Sequence, residues 1–183
     1  MFMLHMLSKM KDPADGGSRI ASVHNASALF NGDPGSGESM TRQYIIENDI
    51  LETVIALPPD MFYNTNISSF ILILTNAKNE NRKGKIQLIN ATHFFEKMDK
   101  ALGKKRKQIS KNQIEELTNI YLNFNETENS LIFKNEEFGY KQINIFEPLT
   151  DKNGKLEKDS KGKLLPNKES KFIENVPINS HIK

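Results

Sequence analysis

The sequence predicts an α/β protein with one mixed sheet. Two nearly continuous apolar runs, LETVIALP at 51–58 and SFILILTN at 69–76, are typical of buried parallel strands. A third run, KIQLINA at 85–91, alternates apolar and polar side chains, as a half-buried strand does. Segments with helical spacing lie between strands, and this mixture favours layered α/β packing.

Ahead of these strands, the pattern predicts two helices, a strand and a long loop. Apolar residues recur at helical spacing over 2–10, and a Pro/Gly-rich stretch ends that helix. RIASVH at 19–24 is predicted as a strand and is followed by a Gly-rich loop up to residue 39. We expect Ser39 or Thr41 to cap the second helix, with Tyr44 and Ile45 on its buried side.

After the third strand, THFFEKM at 92–98 is predicted as a short helical piece that leads into a basic stretch. Ser110 and Gln113 form a capping box for a helix that runs to about residue 123. Residues 138–148 predict one more strand. The Gly-containing turns that follow predict a hairpin or a loose polar arm over 150–183, and we expect no internal repeat.

Composition excludes several classes of protein. The chain has 183 residues, a net charge of +2, 37% hydrophobic residues and a mean hydropathy of −0.54, which does not indicate wholesale disorder. It has no Cys, so disulfides, thiolate metal sites and cysteine nucleophiles are excluded. No apolar run approaches the roughly 20 residues of a membrane span, and the start does not resemble a signal peptide. We therefore expect a cytoplasmic protein that does not enter a membrane.

The motifs predict no complete catalytic, cofactor or metal site. DPADGGS at 12–18 resembles a cofactor loop, but a helix enters it and a strand leaves it, which is the reverse of a working loop. GDPGSGES at 32–39 lacks the Lys-Ser/Thr of a phosphate loop. The four His have no metal-ligand spacing, and no Ser-His-Asp arrangement is recognisable. Each His is predicted to be a surface or edge residue.

The loop after the first apolar run is the most informative segment. Loops at the carboxyl ends of strands hold the ligand in open α/β sheets. Phe62 and Tyr63 could stack on a planar ring there, while Asn64 and Asn66 could bond to its edge. The alternative is that either aromatic folds back into the core.

A basic run over 97–107 has the composition of a phosphate-contacting surface. A solvated helix face or a linker is the commoner meaning of such a run. The composition alone leaves both interpretations open.

The order of these segments resembles one known family. The stretch from DGGSRIASVHNASALF to SSFILILTNAK resembles the later half of the methyltransferase domain in the modification (M) subunit of type I restriction-modification enzymes, an adenine-N6 DNA methyltransferase. The downstream GKIQLINATHFFEKM, the GKKR run, EEFGYKQI and ENVP follow in collinear order. In that family a D-P-A-C-G-S-G-type loop holds S-adenosylmethionine, and an N-P-P-F/Y motif carries catalysis. DPADGGS only mimics the former, and Leu57-Pro58-Pro59-Asp60 lacks the Asn of the latter.

The resemblance implies a partial Rossmann-like, S-adenosylmethionine-dependent methyltransferase sheet that ends in an antiparallel hairpin, followed by a helical and extended segment. Residues 1–91 would be the C-terminal half of the methyltransferase domain, 92–149 a basic linker, helix and terminal strand, and 150–183 a polar extended arm. We expect such a fragment to be inactive alone, to bind no cofactor, and to self-associate or be marginally stable.

The resemblance also assigns roles and partners. Phe62 matches an aromatic that packs on the flipped base, with Tyr63, Asn64 and Thr65 beside it. The residues expected to contact the DNA backbone are Lys104, Lys105, Arg106 and Lys107. The partners would be DNA, a specificity (S) subunit and a restriction (R) subunit. The alternatives are a non-enzymatic scaffold domain that binds protein and, less favoured, a general nucleic-acid-binding module.

Overall fold

The computed structural model describes residues 2–177, which divide into two compact units, one up to Asn135 and one from Glu136 onward. In chain order the first unit contains α1 (Phe2–Leu7), β1 (Arg19–Asn25), α2 (Ser27–Phe30), α3 (Gly37–Glu47), β2 (Leu51–Ala56), β3 (Ser69–Thr75), β4 (Lys85–Asn90), β5 (Glu96–Leu102), β6 (Lys105–Gln108), α4 (Lys111–Asn123) and β7 (Ser130–Lys134). No helix among residues 2–177 is long and apolar enough to cross a membrane.

The first unit is built on a five-stranded mixed sheet with the order β1-β3-β2-β4-β7. β3 is antiparallel to both β1 and β2, β2 is parallel to β4, and β7 is antiparallel to β4. The carboxyl ends of β1, β2 and β4 therefore meet at one edge, which we call the carboxyl edge. The predicted α/β class and the presence of an antiparallel hairpin are confirmed, as are the three strands predicted from apolar patterns. The parallel direction predicted for 69–76 is wrong, because β3 follows β2 through a loop that reverses the chain and pairs antiparallel with both of its neighbours.

Both faces of the sheet are buried at its central strands. On one face Ile55, Ile73 and Ile89 pack with Leu117 of α4 in one hydrophobic cluster. The alternation of β3 turns Leu72 and Leu74 to the opposite face, where both are buried. Burial of each such side chain contributes about 1.5–3 kcal/mol, so the sheet and its two faces fix the position of the loops at its edges.

The helix predicted after the Gly-rich loop is α3, and it begins earlier than predicted, because its N-cap is Ser36 and not Ser39 or Thr41. The Ser36 hydroxyl accepts a hydrogen bond from the Ser39 amide, and the Thr41 hydroxyl donates to a carbonyl inside the helix. Ile45 is buried as expected, but Tyr44 is about half exposed. Neighbouring positions on a helix point about 100° apart, so the face that buries Ile45 turns Tyr44 outward.

The helical interpretation of residues 92–98 is wrong, because this segment enters an antiparallel hairpin of β5 and β6. Phe94 is buried in the core cluster, while the adjacent Phe95 lies under the Nζ atom of Lys107 at 4.0 Å from its ring centre. Adjacent side chains with different surroundings are a property of extended chain. The basic run is thus neither a helix face nor a linker: most of it forms this hairpin.

Smaller differences concern ends and short elements. α1 ends at Leu7, α2 lies inside the predicted long loop, and β7 was not predicted at all. The capping box of Ser110 and Gln113 at the start of α4 is confirmed.

The second unit pairs β8 (Tyr140–Ile145) with β9 (Phe172–Pro177). Between them lie two turns of the same design, so the expectation of no internal repeat is wrong. In D-K-N-G-K and D-S-K-G-K, the carboxylates of Asp151 and Asp159 each accept hydrogen bonds from the amides two and four residues later. The end of the predicted arm, residues 178–183, lies outside the described residues.

Candidate functional site

The loop between β2 and β3 lies at the carboxyl edge of the sheet, as predicted. The Leu57 amide donates to the Ser69 carbonyl at 2.9 Å, which holds the two ends of the loop together. Pro58 and Pro59 follow at once and cannot donate to a ladder, so the strand ends there. We call residues 58–68 the edge loop.

A tight reversal forms the tip of the edge loop. Phe62 and Thr65 pair as an isolated antiparallel bridge, and the Ile67 amide donates to the Thr65 hydroxyl at 3.2 Å. Tyr63 and Asn64 occupy the tip between them and are exposed, Tyr63 by 71%, whereas Phe62 and Thr65 are half-buried. A flat ring and an amide therefore face solvent side by side.

The hairpin of β5 and β6 lies against the edge loop, although some forty residues separate them in sequence. Its backbone amides are the contacts: Lys104 donates to the Tyr63 carbonyl at 2.8 Å, and Arg106 donates to the Asp60 carbonyl at 3.0 Å. The Lys107 amide also points to the Asp60 carbonyl, at 3.3 Å. The structure thus brings together two segments that the sequence singled out separately.

The four basic residues of the hairpin differ in exposure. Lys104 and Arg106 are exposed, while Lys105 and Lys107 are half-buried. The Lys107 ammonium lies over the Phe95 ring, a cation–π contact that partly satisfies its charge. Only two of the four cations are therefore fully available to an anion in solution.

His24 is a further polar group at this edge, at the end of β1. Its Nε2 atom is buried and makes no hydrogen bond within the described residues. Loss of hydration on burial lowers the pKa of His24, which favours the neutral ring. The prediction of an edge residue is right for His24. The sequence could indicate this location because His24 is the last residue but one of a strand with alternating burial.

The Gly-containing stretch at 12–18 lies at the opposite edge of the sheet, before β1. Its backbone amides are already engaged: Ala14 donates to the Asp12 carboxylate, Gly16 and Gly17 donate to backbone carbonyls, and Ser18 donates to the Asn76 side chain. A Cβ on Gly17 would lie 2.6 Å from the Ala77 side chain, so Gly17 serves close packing. A cofactor loop needs free amides aimed at the ligand, and these residues do not fit that requirement.

One buried polar cluster joins β2 to α4 and is structural. The Glu52 carboxylate, fully buried, accepts a 2.6 Å hydrogen bond from the Tyr121 hydroxyl. Burial, together with this bond to Glu52, raises the pKa of Tyr121 to about 12. Among residues 2–177 no group of three His, Asp or Glu side chains could hold a metal ion.

Comparisons with known proteins agree on one group. The family model for N-6 DNA methylases matches residues 1–153. The chain is 33% identical over 110 residues to the methylase subunit of the type I restriction enzyme MjaVII from Methanocaldococcus jannaschii, and 35% identical over 106 residues to that of MjaVIII. These alignments cover 60% and 58% of this chain but 18% of each relative, so the chain spans about a fifth of the length of the curated relatives it matches.

Solved structures agree with these sequence matches. The methyltransferase subunit of a type I restriction-modification system from Streptococcus thermophilus superposes with a TM-score of 0.62 at 27% identity. The match covers 74% of this chain and 26% of that one.

Proposed function

The chain belongs to the N-6 DNA methylase family, and on that premise we propose that it is part of a type I restriction-modification M subunit. The parent enzyme would transfer a methyl group from S-adenosylmethionine to adenine N6 in DNA. One observation carries the proposal beyond the family match. An aromatic loop at the carboxyl edge of the sheet is held against a basic hairpin, which offers a base and a phosphate backbone adjacent surfaces.

We assign the edge loop to the extruded target base. An enzyme that modifies a base must take it out of the stack and hold it between flat side chains. Phe62 would stack on the adenine, worth roughly 1–3 kcal/mol by analogy with single-strand binders. The family resemblance matches Phe62 to the stacking aromatic, and the more exposed ring of Tyr63 is the alternative. Asn64 and Thr65 would bond to the edge of the base.

We assign the hairpin to the DNA backbone. Lys104 and Arg106 are exposed and would contact phosphates directly, while Lys105 and Lys107 would contribute through the local positive potential. Such contacts position a duplex without reading its sequence. The specificity subunit would read the sequence, and a restriction subunit would join for cleavage, in the cytoplasm where the DNA lies.

S-adenosylmethionine supplies the methyl group in this family, but the residues of this chain do not fit its binding loop. The rest of the parent enzyme would hold the cofactor and supply the N-P-P-F/Y motif. The part played by this chain is therefore to hold the base and the backbone.

The test uses the intact methyltransferase that contains this chain, expressed with its specificity subunit. Digested host DNA should contain N6-methyladenine by mass spectrometry, and an unmethylated genome would favour the scaffold alternative. Phe62→Ala should impair methylation and alter the signal of a fluorescent adenine analogue at the target position, while the melting temperature stays unchanged. Tyr63→Ala is the matched control, and an effect confined to it, or a Phe62→Ala protein that merely unfolds, would overturn the assignment of Phe62.

A further inference from the structure

The contact between hairpin and edge loop depends on one residue that carries no side chain. Gly103 begins the tight turn between β5 and β6 with φ +62°, a conformation that favours glycine. A Cβ at this position would lie 2.5 Å from the Tyr63 carbonyl oxygen and 3.0 Å from Cδ2 of the Tyr63 ring. Any larger residue would force the hairpin and the loop apart.

The hairpin meets the loop at two backbone carbonyls. The Lys104 amide donates to the Tyr63 carbonyl at the tip, and the Arg106 amide donates to the Asp60 carbonyl near the start of the loop. Asp60 has φ +63°, so the loop turns sharply at the point where Arg106 holds it. The residues between these two anchors are Met61 and Phe62.

We propose that the β5–β6 hairpin is the positioning element of the edge loop, with Gly103 as the residue that permits the contact. The proposal rests on the function proposed above, because the geometry it maintains is that of the base-binding residues. The proposal also predicts that binding of the DNA backbone and binding of the target base are coupled. The same two residues hold the loop by their amides and present exposed cations to phosphate, so DNA bound by the hairpin stabilises the loop.

The test labels the 183-residue chain with 3-fluorotyrosine, which reports on Tyr44, Tyr63, Tyr121 and Tyr140, with Tyr63→Phe to assign its signal. Gly103→Ala should move the Tyr63 fluorine signal and leave the other three in place. Gly35→Ala is the matched control, since Gly35 has φ +83° but open space around its Cβ position. In hydrogen exchange, the Lys104 and Arg106 amides should be protected about tenfold in the unmodified chain and lose that protection in Gly103→Ala.

Each result supports or overturns the proposal. A Tyr63 signal that is the same in both glycine variants would overturn it, and so would unprotected Lys104 and Arg106 amides in the unmodified chain. If Gly103→Ala unfolds the chain, hydrogen exchange of the unmodified protein is the test: protected Lys104 and Arg106 amides support the proposal, and unprotected ones overturn it.

A duplex added at low salt tests the coupling separately. The duplex should slow exchange of the edge-loop amides, and a Lys104→Gln/Arg106→Gln variant should lose this response. Binding of the duplex without any slowing would overturn the coupling. Failure of the duplex to bind, with the Tyr63 shift intact, would instead refute the assignment of the hairpin to the DNA backbone and leave the positioning role standing.

Discussion

Neutralising the two exposed cations of the hairpin should weaken DNA binding in a way that salt reveals. Each phosphate contact contributes about 0.9 to the slope of log affinity against log salt on duplex DNA. Lys104 and Arg106 are both exposed, so Lys104→Gln/Arg106→Gln should reduce the magnitude of that slope by about 1.8. Between 50 and 200 mM salt this corresponds to about a twelvefold smaller loss of affinity.

The structure supplies two matched controls for this experiment. Lys105→Gln/Lys107→Gln removes the same charge from half-buried positions and should reduce the slope by less than about 1. Lys9→Gln/Lys11→Gln removes two exposed charges before β1, at the far edge of the sheet, and should leave the slope unchanged. Fluorescence anisotropy of the intact enzyme on a labelled duplex, with and without its target site, measures the salt slope of all three double variants.

The prediction fails in two recognisable ways. If Lys104→Gln/Arg106→Gln leaves the slope of the parent enzyme unchanged, the hairpin is only a solvated surface. If the two hairpin variants reduce the slope equally, exposure does not decide which cations meet phosphate. Sequence-independent weakening is also required, because phosphate contacts carry no base information.

Three further predictions follow from other parts of the chain. Burial alone would raise the pKa of Asp49, but hydrogen bonds from Lys78, Gly84 and Asn135 and the Lys78 charge outweigh it and lower that pKa. The stabilisation of the folded state by ionised Asp49 is present above the ordinary pKa near 3.8 and is lost as pH falls through the lower pKa of the folded state. Asp49→Asn should therefore cost about 1 kcal/mol in urea unfolding at pH 7 and progressively less below about pH 4, whereas a pH-independent cost would contradict it. The isolated chain should show no micromolar binding of S-adenosylmethionine by calorimetry, because the amides of the 12–18 stretch are engaged, and measurable heat would refute this. The isolated chain should also self-associate in sedimentation, because β1 is an edge strand, and a monomer across a wide concentration range would exclude it.

The strands were predictable because their signal is local. An apolar run such as 51–58 must be buried on both faces, and the alternation at 85–91 fixes one buried face, whatever the remainder of the chain does. The position of the edge loop followed from the same argument, since a loop after a buried strand of an α/β sheet lies at its edge. Phe62 and Tyr63 could be located in this way, but not oriented.

The hairpin was not predictable, because its signal is not local. Its apolar content is low, and the helical spacing of Phe94 and Phe95 with Met98 competed with the strand pattern. Two things decide in favour of the hairpin: a glycine turn at Gly103, and hydrogen bonds to carbonyls of a loop some forty residues earlier. Tertiary contacts of this kind override local propensity. The predicted domain division at residues 91 and 149 stays a prediction.

The direction of the strands explains why the loop proposed to bind the base and the hairpin proposed to bind phosphate lie at one site. β2 and β4 are parallel neighbours, so whatever follows each of them emerges at the same edge. The edge loop follows β2, and the hairpin follows β4 after a short turn in which Asn90 accepts hydrogen bonds from Thr92. An antiparallel pairing of these two strands would have sent the basic residues to the opposite edge, far from Tyr63. A bound nucleotide presents its base and its phosphate only a few ångströms apart, and the parallel pair is the feature of this sheet that would let one chain contact both, as proposed.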